Sequence, residues 1–339
     1  MIITKTYPLQ SISVEEAIKL QFRIVDCMAR EFQGHELLSR GDLGVVTGLN
    51  QPLTTRKAEK VIAEVFGAET CMLVRGAGSG SIRLGLHGML QAGDTILVHK
   101  APIYDTTDTS LKMLGIHTVQ ADFNEIEEIQ QVMREHPELA GVLVQHTRQI
   151  PGPKIGIQFG ADLSCFSSFK LLGPEGIGIL LGKKEYIEPL RKENYSGGMQ
   201  TQGHEALDVL RGLVYAPVAL AIEAEESEKC VKRLRSGEIP EVKEAFIANA
   251  QSKVILVELK ENIAQRVLVE AEKLGAAPYP IGCESRYEMV PLFYRISGTF
   301  RKADPTLEQR MIRINPLRAG SDTVIRILKE AIERGKACL

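Results

Sequence analysis

The chain has 339 residues, with 41 Lys and Arg against 43 Asp and Glu, for a formal net charge of −2. That balance argues against a broad nucleic-acid or other polyanion surface, which would need a basic excess. Hydrophobic residues at 44% and charged residues at 25% fit a globular protein of about two domains, while the absence of Trp and an aromatic content of 5% argue against base-stacking platforms and membrane-interface belts. A cytoplasmic enzyme is the expectation.

Ser13, followed by Glu15 and Glu16, opens a helical pattern that runs through Glu31. A glycine-rich loop, RGDLGVVTGLNQP, leads into a second helix, TTRKAEKVIAEVFG. From residue 70 short apolar runs alternate with helical stretches: TCMLV, SIRLGLHGML, TILVH, TSLKMLG, HTVQAD, EIEEIQQVMREH, GVLVQH. Such alternation predicts an α/β fold with a mostly parallel sheet and crossover helices. The rhythm breaks at RQIPGPKIGIQFG (148–160), which has two prolines, three glycines and no helical period, although LSCFSSF beyond it again reads as a buried strand. A parallel crossover needs a dozen or more residues, usually a helix, and this connection has none.

After Lys170 the sequence predicts a turn and a strand, then a long helix over roughly 203–235. A smaller α+β unit follows, with strand SKVILVEL, helix NIAQRVLVEAEKLG, strands PLFYRISGTF and RMIRINP, and helix SDTVIRILKEAIERG. The expected organisation is an N-terminal arm and helix (1–45), a large domain (46–200), a linking helix (201–235) and a small C-terminal domain (236–339). The six cysteines, Cys27, Cys71, Cys165, Cys230, Cys283 and Cys338, form no CxxC pair, so neither a metal site nor a disulfide framework is expected. No apolar run reaches the length of a membrane span, about 18 residues, and the start lacks the pattern of a signal peptide.

Two segments carry chemistry. Arg75-Gly76-Ala77-Gly78-Ser79-Gly80-Ser81 lies between a strand and a helix, where small residues let backbone N–H groups approach a phosphate. It is not a P-loop, since no Lys-Ser/Thr pair closes it, and no acid ends the strand TILVH to hold a ribose. The other is Ser167-Ser168-Phe169-Lys170 followed by LLGPEG. A lysine closing an apolar run suits a Schiff base, because burial keeps its amine nucleophilic; a lysine snorkelling from a strand end is the structural alternative.

GADLSCFSSFKLLGPEGIGILLGKKEYI resembles the lysine region of fold type I pyridoxal-phosphate enzymes, in the branch of selenocysteine synthase, the class V aminotransferases and the cystathionine and methionine lyases. With GDLG, GLNQP, LVQHTRQ, YSGGMQTQG, IANAQSK and PLFYRISGTFR, the chain looks like a member of the YhfS-like family from about residue 5 to residue 335. The resemblance implies an aspartate-aminotransferase-like large domain with a seven-stranded sheet and pyridoxal 5′-phosphate as cofactor. Lys170 would form the Schiff base. Gly78, Ser79 and Gly80, with a hydroxyl from Ser167 or Ser168, would hold the phosphate, and Tyr104 would stack on the pyridine. Thr147, Arg148 and Gln149 stand where the family places polar partners for cofactor or substrate. Arg313 matches the arginine that takes a substrate carboxylate, with Arg318 as the competing candidate. The segment 196–198 and the loop around Asn50 would reach across a homodimer interface.

One departure stands out. The family expects an Asp on its own strand, paired with the pyridine nitrogen, yet between Gly141 and Lys170 the only acid is Asp162. Six strands are found where the fold has seven. A helix and strand of about 20–30 residues are therefore read as missing near Pro151–Lys154, either deleted from the polypeptide or left out of a sequence built from ordered residues. The expected function is that of an aminotransferase or a C–S or C–X lyase acting on a small amino acid or amine; the alternative is a catalytically degenerate binding or regulatory protein. Near-neutral charge argues against action on tRNA.

Overall fold

The computed structural model describes residues 11–38, 44–46, 48, 50–145, 156–195, 199–248, 254–280 and 289–337. In chain order the elements are α1 (Val14–Glu31), β1 (Val45–Val46), β2 (Gln51–Pro52), α2 (Leu53–Phe66), β3 (Thr70–Arg75), α3 (Ala77–Met89), β4 (Thr95–His99), α4 (Asp105–Met113), β5 (His117–Ala121), α5 (Ile126–Glu135) and β6 (Gly141–Leu143). They continue with β7 (Leu163–Ser167), β8 (Ile177–Gly182), α6 (Lys184–Tyr195), α7 (Gly203–Arg235), β9 (Val242–Ile247), β10 (Ile255–Leu259), α8 (Ala264–Lys273), β11 (Leu292–Arg295), α9 (Gly298–Ala303), α10 (Leu307–Arg310), β12 (Met311–Asn315) and α11 (Ser321–Ala337). Helix α1 starts where Ser13 accepts from the Glu16 N–H while the Glu16 carboxylate accepts from the Ser13 N–H, a reciprocal cap.

The six strands expected in the first part of the chain are all present, and among the described residues they pair in two sheets of three. One has the order β5-β4-β6, all parallel; the other is β3-β8-β7, with β8 antiparallel to both neighbours. Strand β8 must reverse because the link from β7 is only the turn 168–176, too short for a crossover. Among the described residues β6 is an edge strand of one sheet and β7 of the other, and the two are consecutive in sequence. The expected gap at 151–154 lies outside the described residues, and the 339-residue sequence is continuous there.

One core packs α1, α2 and α7 against β3 and β8, with Ile24, Ile62, Leu73, Ile179 and Leu210 all fully buried. A second lies between the antiparallel sheet β11-β12-β10-β9 and helices α8 and α11, around Phe293, Val257, Ile312 and Leu328. Among the elements that were not expected are α6 and β9. Helix α6 contains Pro189 and few apolar residues, and is held through its buried Arg191. Strand β9, VKEAFI, carries the exposed charged pair Lys243 and Glu244 between apolar residues at a sheet edge. The strand expected to run to Phe300 stops at Arg295, and the chain turns into α9.

Candidate active site

Strand β3 runs into α3 through a strained turn. Gly76 and Ala77 both have positive φ, +92° and +54°, and both N–H groups donate to the Gly176 carbonyl at 2.9 Å. The Gly80 N–H is committed to Gly76 O at 2.8 Å, which leaves Gly78 and Ser79 with N–H groups that meet no acceptor among the described residues. No side chain caps this helix. Gly78 is packed so closely that a Cβ would lie 3.3 Å from the Ser167 nitrogen, and on Gly80 it would lie 2.1 Å from Arg75 O. Gly80 therefore lets α3 cross the end of β3, while Gly78 and Ser79 offer the donors. The Ser79 and Thr106 hydroxyls meet at 3.0 Å beside them.

Lys170 lies in the 3₁₀ turn Ser168–Leu171 that follows β7 directly. Its neighbours Ser168, Phe169 and Leu171 are buried, whereas Lys170 is partly exposed. The Ser167 hydroxyl accepts from the Phe169 N–H at 3.3 Å, and Leu172, at φ +60°, ends the turn. The sequence left Ser167 and Ser168 as alternatives. The Ser168 hydroxyl contacts the carbonyls of Pro174 and Ile177 at 2.9 Å each and is fully buried, so it fastens the turn, and Ser167 is the hydroxyl beside the α3 N-terminus. The non-glycine residues described with positive φ are Asn50, Ala77, Leu172 and Leu317, each within two residues of a group singled out in the sequence or at that group itself. Such strain costs about 1–2 kcal/mol per residue and concentrates where geometry serves function.

Tyr104 precedes α4 and is 64% exposed, so it is not a core tyrosine. Its N–H donates to Gln145 Oε1 at 3.2 Å, and Gln145 Nε2 donates to the Thr107 hydroxyl at 2.9 Å. Gln145, just past the end of β6, thus sets the start of α4. Sequence reasoning passed over it, although the last polar residue of the run GVLVQH was the available signal. Thr147, Arg148 and Gln149 lie outside the described residues, as does 196–198. Arg75 forms a two-pronged ion pair with Glu205 (2.8 and 2.6 Å), another link sequence alone did not offer, tying the end of β3 to the first turn of α7.

The two arginine candidates differ. Arg318 pairs at 3.5 Å with Glu223 of α7, a carboxylate 1% exposed. Arg313 has its guanidinium carbon 4.0 Å from the centre of the Tyr294 ring, and its buried Nε has no hydrogen bond among the described residues. Among the described residues no three His, Cys, Asp or Glu side chains converge as metal ligands, and no helix is long and apolar enough to cross a membrane.

Fold and turn together define the class of fold type I pyridoxal-phosphate proteins. Residues 107–210 match the family model Aminotransferase class-V, and residues 228–328 match YhfS-like, C-terminal domain. The uncharacterized protein YhfS of Escherichia coli K12 is 48% identical over 359 residues, covering 97% of this chain and 99% of that protein. The chain belongs to the YhfS family. A crystal structure of the Escherichia coli protein, described as pyridoxal-5′-phosphate dependent, superposes with a TM-score of 0.92 at 46% identity over 98% of this chain and all of that one. A carbon-sulfur lyase of Clostridium novyi shares the fold at a TM-score of 0.69 and 18% identity, over 95% of this chain and 91% of its own.

Proposed function

We propose that the chain binds pyridoxal 5′-phosphate through Lys170 and acts on a small amino acid or amine, as an aminotransferase or as a lyase of carbon–sulfur or related bonds. The observation that carries the reading is the fastening of the lysine turn to the α3 N-terminus, through Gly176 O, Ser168 and the close contact of Gly78 with Ser167. An uncapped helix N-terminus with two open N–H groups and adjoining hydroxyls suits a phosphate. When bound, the cofactor supplies an aldehyde for the amine and a ring that draws electron density from the substrate's α-carbon.

Every other part falls to groups of this chain. Gly78 and Ser79 N–H groups, with the Ser79, Thr106 and Ser167 hydroxyls, hold the phosphate. Tyr104 covers one ring face, with Gln145 fixing the backbone before it. Lys170 anchors the cofactor and then holds the proton taken from the α-carbon. Arg313 receives the substrate carboxylate. Thr147, Arg148 and Gln149 keep their proposed place as polar partners. A homodimer is supported by the exposed apolar stripe Ile18, Phe22 and Val25 on α1, and a cytoplasmic location by the free thiols of Cys27, Cys71, Cys165 and Cys230.

A second reading, a degenerate binding protein, is favoured by one feature. The stretch 141–161 holds no carboxylate to pair with the ring nitrogen, and the two sheets beside it do not join among the described residues. Adding pyridoxal phosphate to the purified chain separates the readings. The enzyme reading expects a visible absorption band that Lys170→Ala abolishes, and release of a keto acid or thiol from at least one amino acid. A colourless protein supports the second.

A further inference from the structure

Successive side chains of β3 point to opposite faces of its sheet. Met72 and Val74 pack with Leu84 of α3, whereas Cys71 and Leu73 pack in the core that holds Leu207 and Leu210 of α7. Arg75, the last residue of β3, continues the second set, so its side chain lies on the α7 side while the turn beginning at Gly76 leads into α3 on the other. There it meets Glu205 with two parallel bonds, at 2.8 and 2.6 Å. The Glu205 carboxylate is itself pinned, because its Oε2 also accepts from the Gln202 N–H at 2.9 Å, at the start of α7. A forked pair on a pinned carboxylate admits one geometry, and it fixes the end of β3 from beneath.

Glu205 and Gly212 are seven residues apart on α7, two helical turns, and so share one face of it. Gly212 lies against the Leu172–Gly173 peptide that closes the turn carrying Lys170. One helix face thus holds both halves of the site: the strand end that leads to the Gly78 and Ser79 N–H groups at Glu205, and the lysine turn about 10 Å farther along, at 1.5 Å per residue. We propose that Glu205 is a positioning residue for the phosphate: through Arg75 it sets where the α3 N-terminus stands relative to Lys170, without touching the ligand. The inference rests on the proposed role of Gly78 and Ser79 at the phosphate. A partly exposed ion pair adds little to stability, about 0–1 kcal/mol, so its effect on the ligand can be read apart from folding. The Arg75 and Glu205 side chains are 40% and 19% exposed.

Two ligands taken up by the full chain test it. Pyridoxine 5′-phosphate has the phosphate and no aldehyde, and is titrated by calorimetry; pyridoxal has the aldehyde and no phosphate, and is titrated by its visible band. Glu205→Ala and Arg75→Met should each weaken pyridoxine 5′-phosphate about tenfold, the effect of a misplaced but intact set of donors, and leave pyridoxal within about twofold. The double variant should bind no more weakly than the weaker single one, since the two residues act as a unit. Arg75→Lys, a cation without the fork, should recover only part of the affinity. Glu205→Ala also removes the α7 cap, so should it fail to fold, as circular dichroism would show, Arg75→Met decides, because that variant keeps the cap. The inference is overturned by a folded Arg75→Met with wild-type affinity for pyridoxine 5′-phosphate, by loss of both ligands in equal measure, or by a wild type that does not bind the phosphate ester. A wild type that binds this ester yet gives no visible band with pyridoxal phosphate would refute the role of Lys170 and leave this inference standing.

Discussion

Gly212 of α7 lies against the peptide of Leu172 with no room for a methyl group. A Cβ there would come within 2.5 Å of the Leu172 carbonyl carbon and oxygen and of the Gly173 nitrogen. Helix α7 is therefore the floor beneath the turn that carries Lys170. In an isolated helix Gly→Ala gains up to about 1 kcal/mol, but here the added carbon meets backbone, which cannot rotate away. Gly212→Ala should destabilise the protein by about 1–3 kcal/mol, the usual range for overpacking, and lower its loading with pyridoxal phosphate. Thermal unfolding and the visible band measure the two effects. Gly34→Ala, where a Cβ would meet nothing within 4 Å, is the control and should alter neither.

The edge of β3 away from β8 is closed by side chains in place of a strand. Glu59 accepts from the Leu73 N–H at 2.9 Å, and Arg191 donates to Cys71 O at 2.7 Å and to Glu59 at 2.7 Å. Both side chains are at most 2% exposed. Burial pushes the Glu188 carboxyl up, but its hydrogen bond and charge contact with Arg191 outweigh that and hold it below the usual carboxylate range. Removing the guanidinium takes from buried Glu59 its nearer charge partner and leaves it Arg56 at 3.4 Å, so the cost should approach that of a broken buried pair, about 3–5 kcal/mol. Arg191→Met should lower the chemical-denaturation midpoint accordingly, and Glu59→Gln combined with Arg191→Met should lose less than Arg191→Met alone.

The six strands and the long helix were legible because apolar runs of four to six residues alternate with helical periods, and the lysine turn because Ser-Ser-Phe-Lys closes such a run. Helix α6 was not legible: its stability comes from Arg191 reaching Glu59, a partner 132 residues away, and Pro189 masks its period. Gln145 and Glu205 escaped for the same reason, since each acts through a distant partner. The choice between Ser167 and Ser168 needed the carbonyls of Pro174 and Ile177 to be placed. The break at 148–160 reads as a missing crossover because a parallel connection has a minimum length, and residues 146–155 lie outside the described ones.

Cys230 offers a pH prediction. Burial pushes its thiol up to about 12, from an ordinary value of 9.0. In the folded chain the thiol stays protonated where the unfolded chain has begun to ionise, so the unfolded state binds fewer protons above pH 9. Stability is therefore unaffected by this group below pH 9 and is lost as pH rises from 9 toward 12, by about 4 kcal/mol in full. Denaturation midpoints between pH 8 and 10.5 should fall less steeply in Cys230→Ala than in the wild type, and the native protein should resist alkylation at Cys230 until it unfolds.

The two sheets of three strands yield the last prediction. Strand β6 pairs only with β4, and β7 only with β8, among the described residues. Around the β6 edge Val142 and Val144 are about half exposed, and α5, with Ile126, Ile129, Val132 and Met133 on one side, has no buried residue. A parallel edge strand and an amphipathic helix are normally covered on both sides, and an open apolar edge invites association with another chain. The Escherichia coli relative aligns over 359 residues against the 339 of this chain, so it carries at least 20 residues with no counterpart here, the size of one strand with its helix. Inserting one strand with its helix between Gln145 and Gly156 should join β6 to β7. It should raise the melting temperature by several degrees, about 2–4 °C for each kcal/mol gained in a domain of this size, slow hydrogen exchange at the amides of Val142 and Cys165, and reduce concentration-dependent light scattering. A graft that leaves exchange at both strands unchanged would show that the two sheets do not meet across this edge, and a carboxylate for the ring nitrogen would then have to be sought from another part of the chain or from a partner subunit.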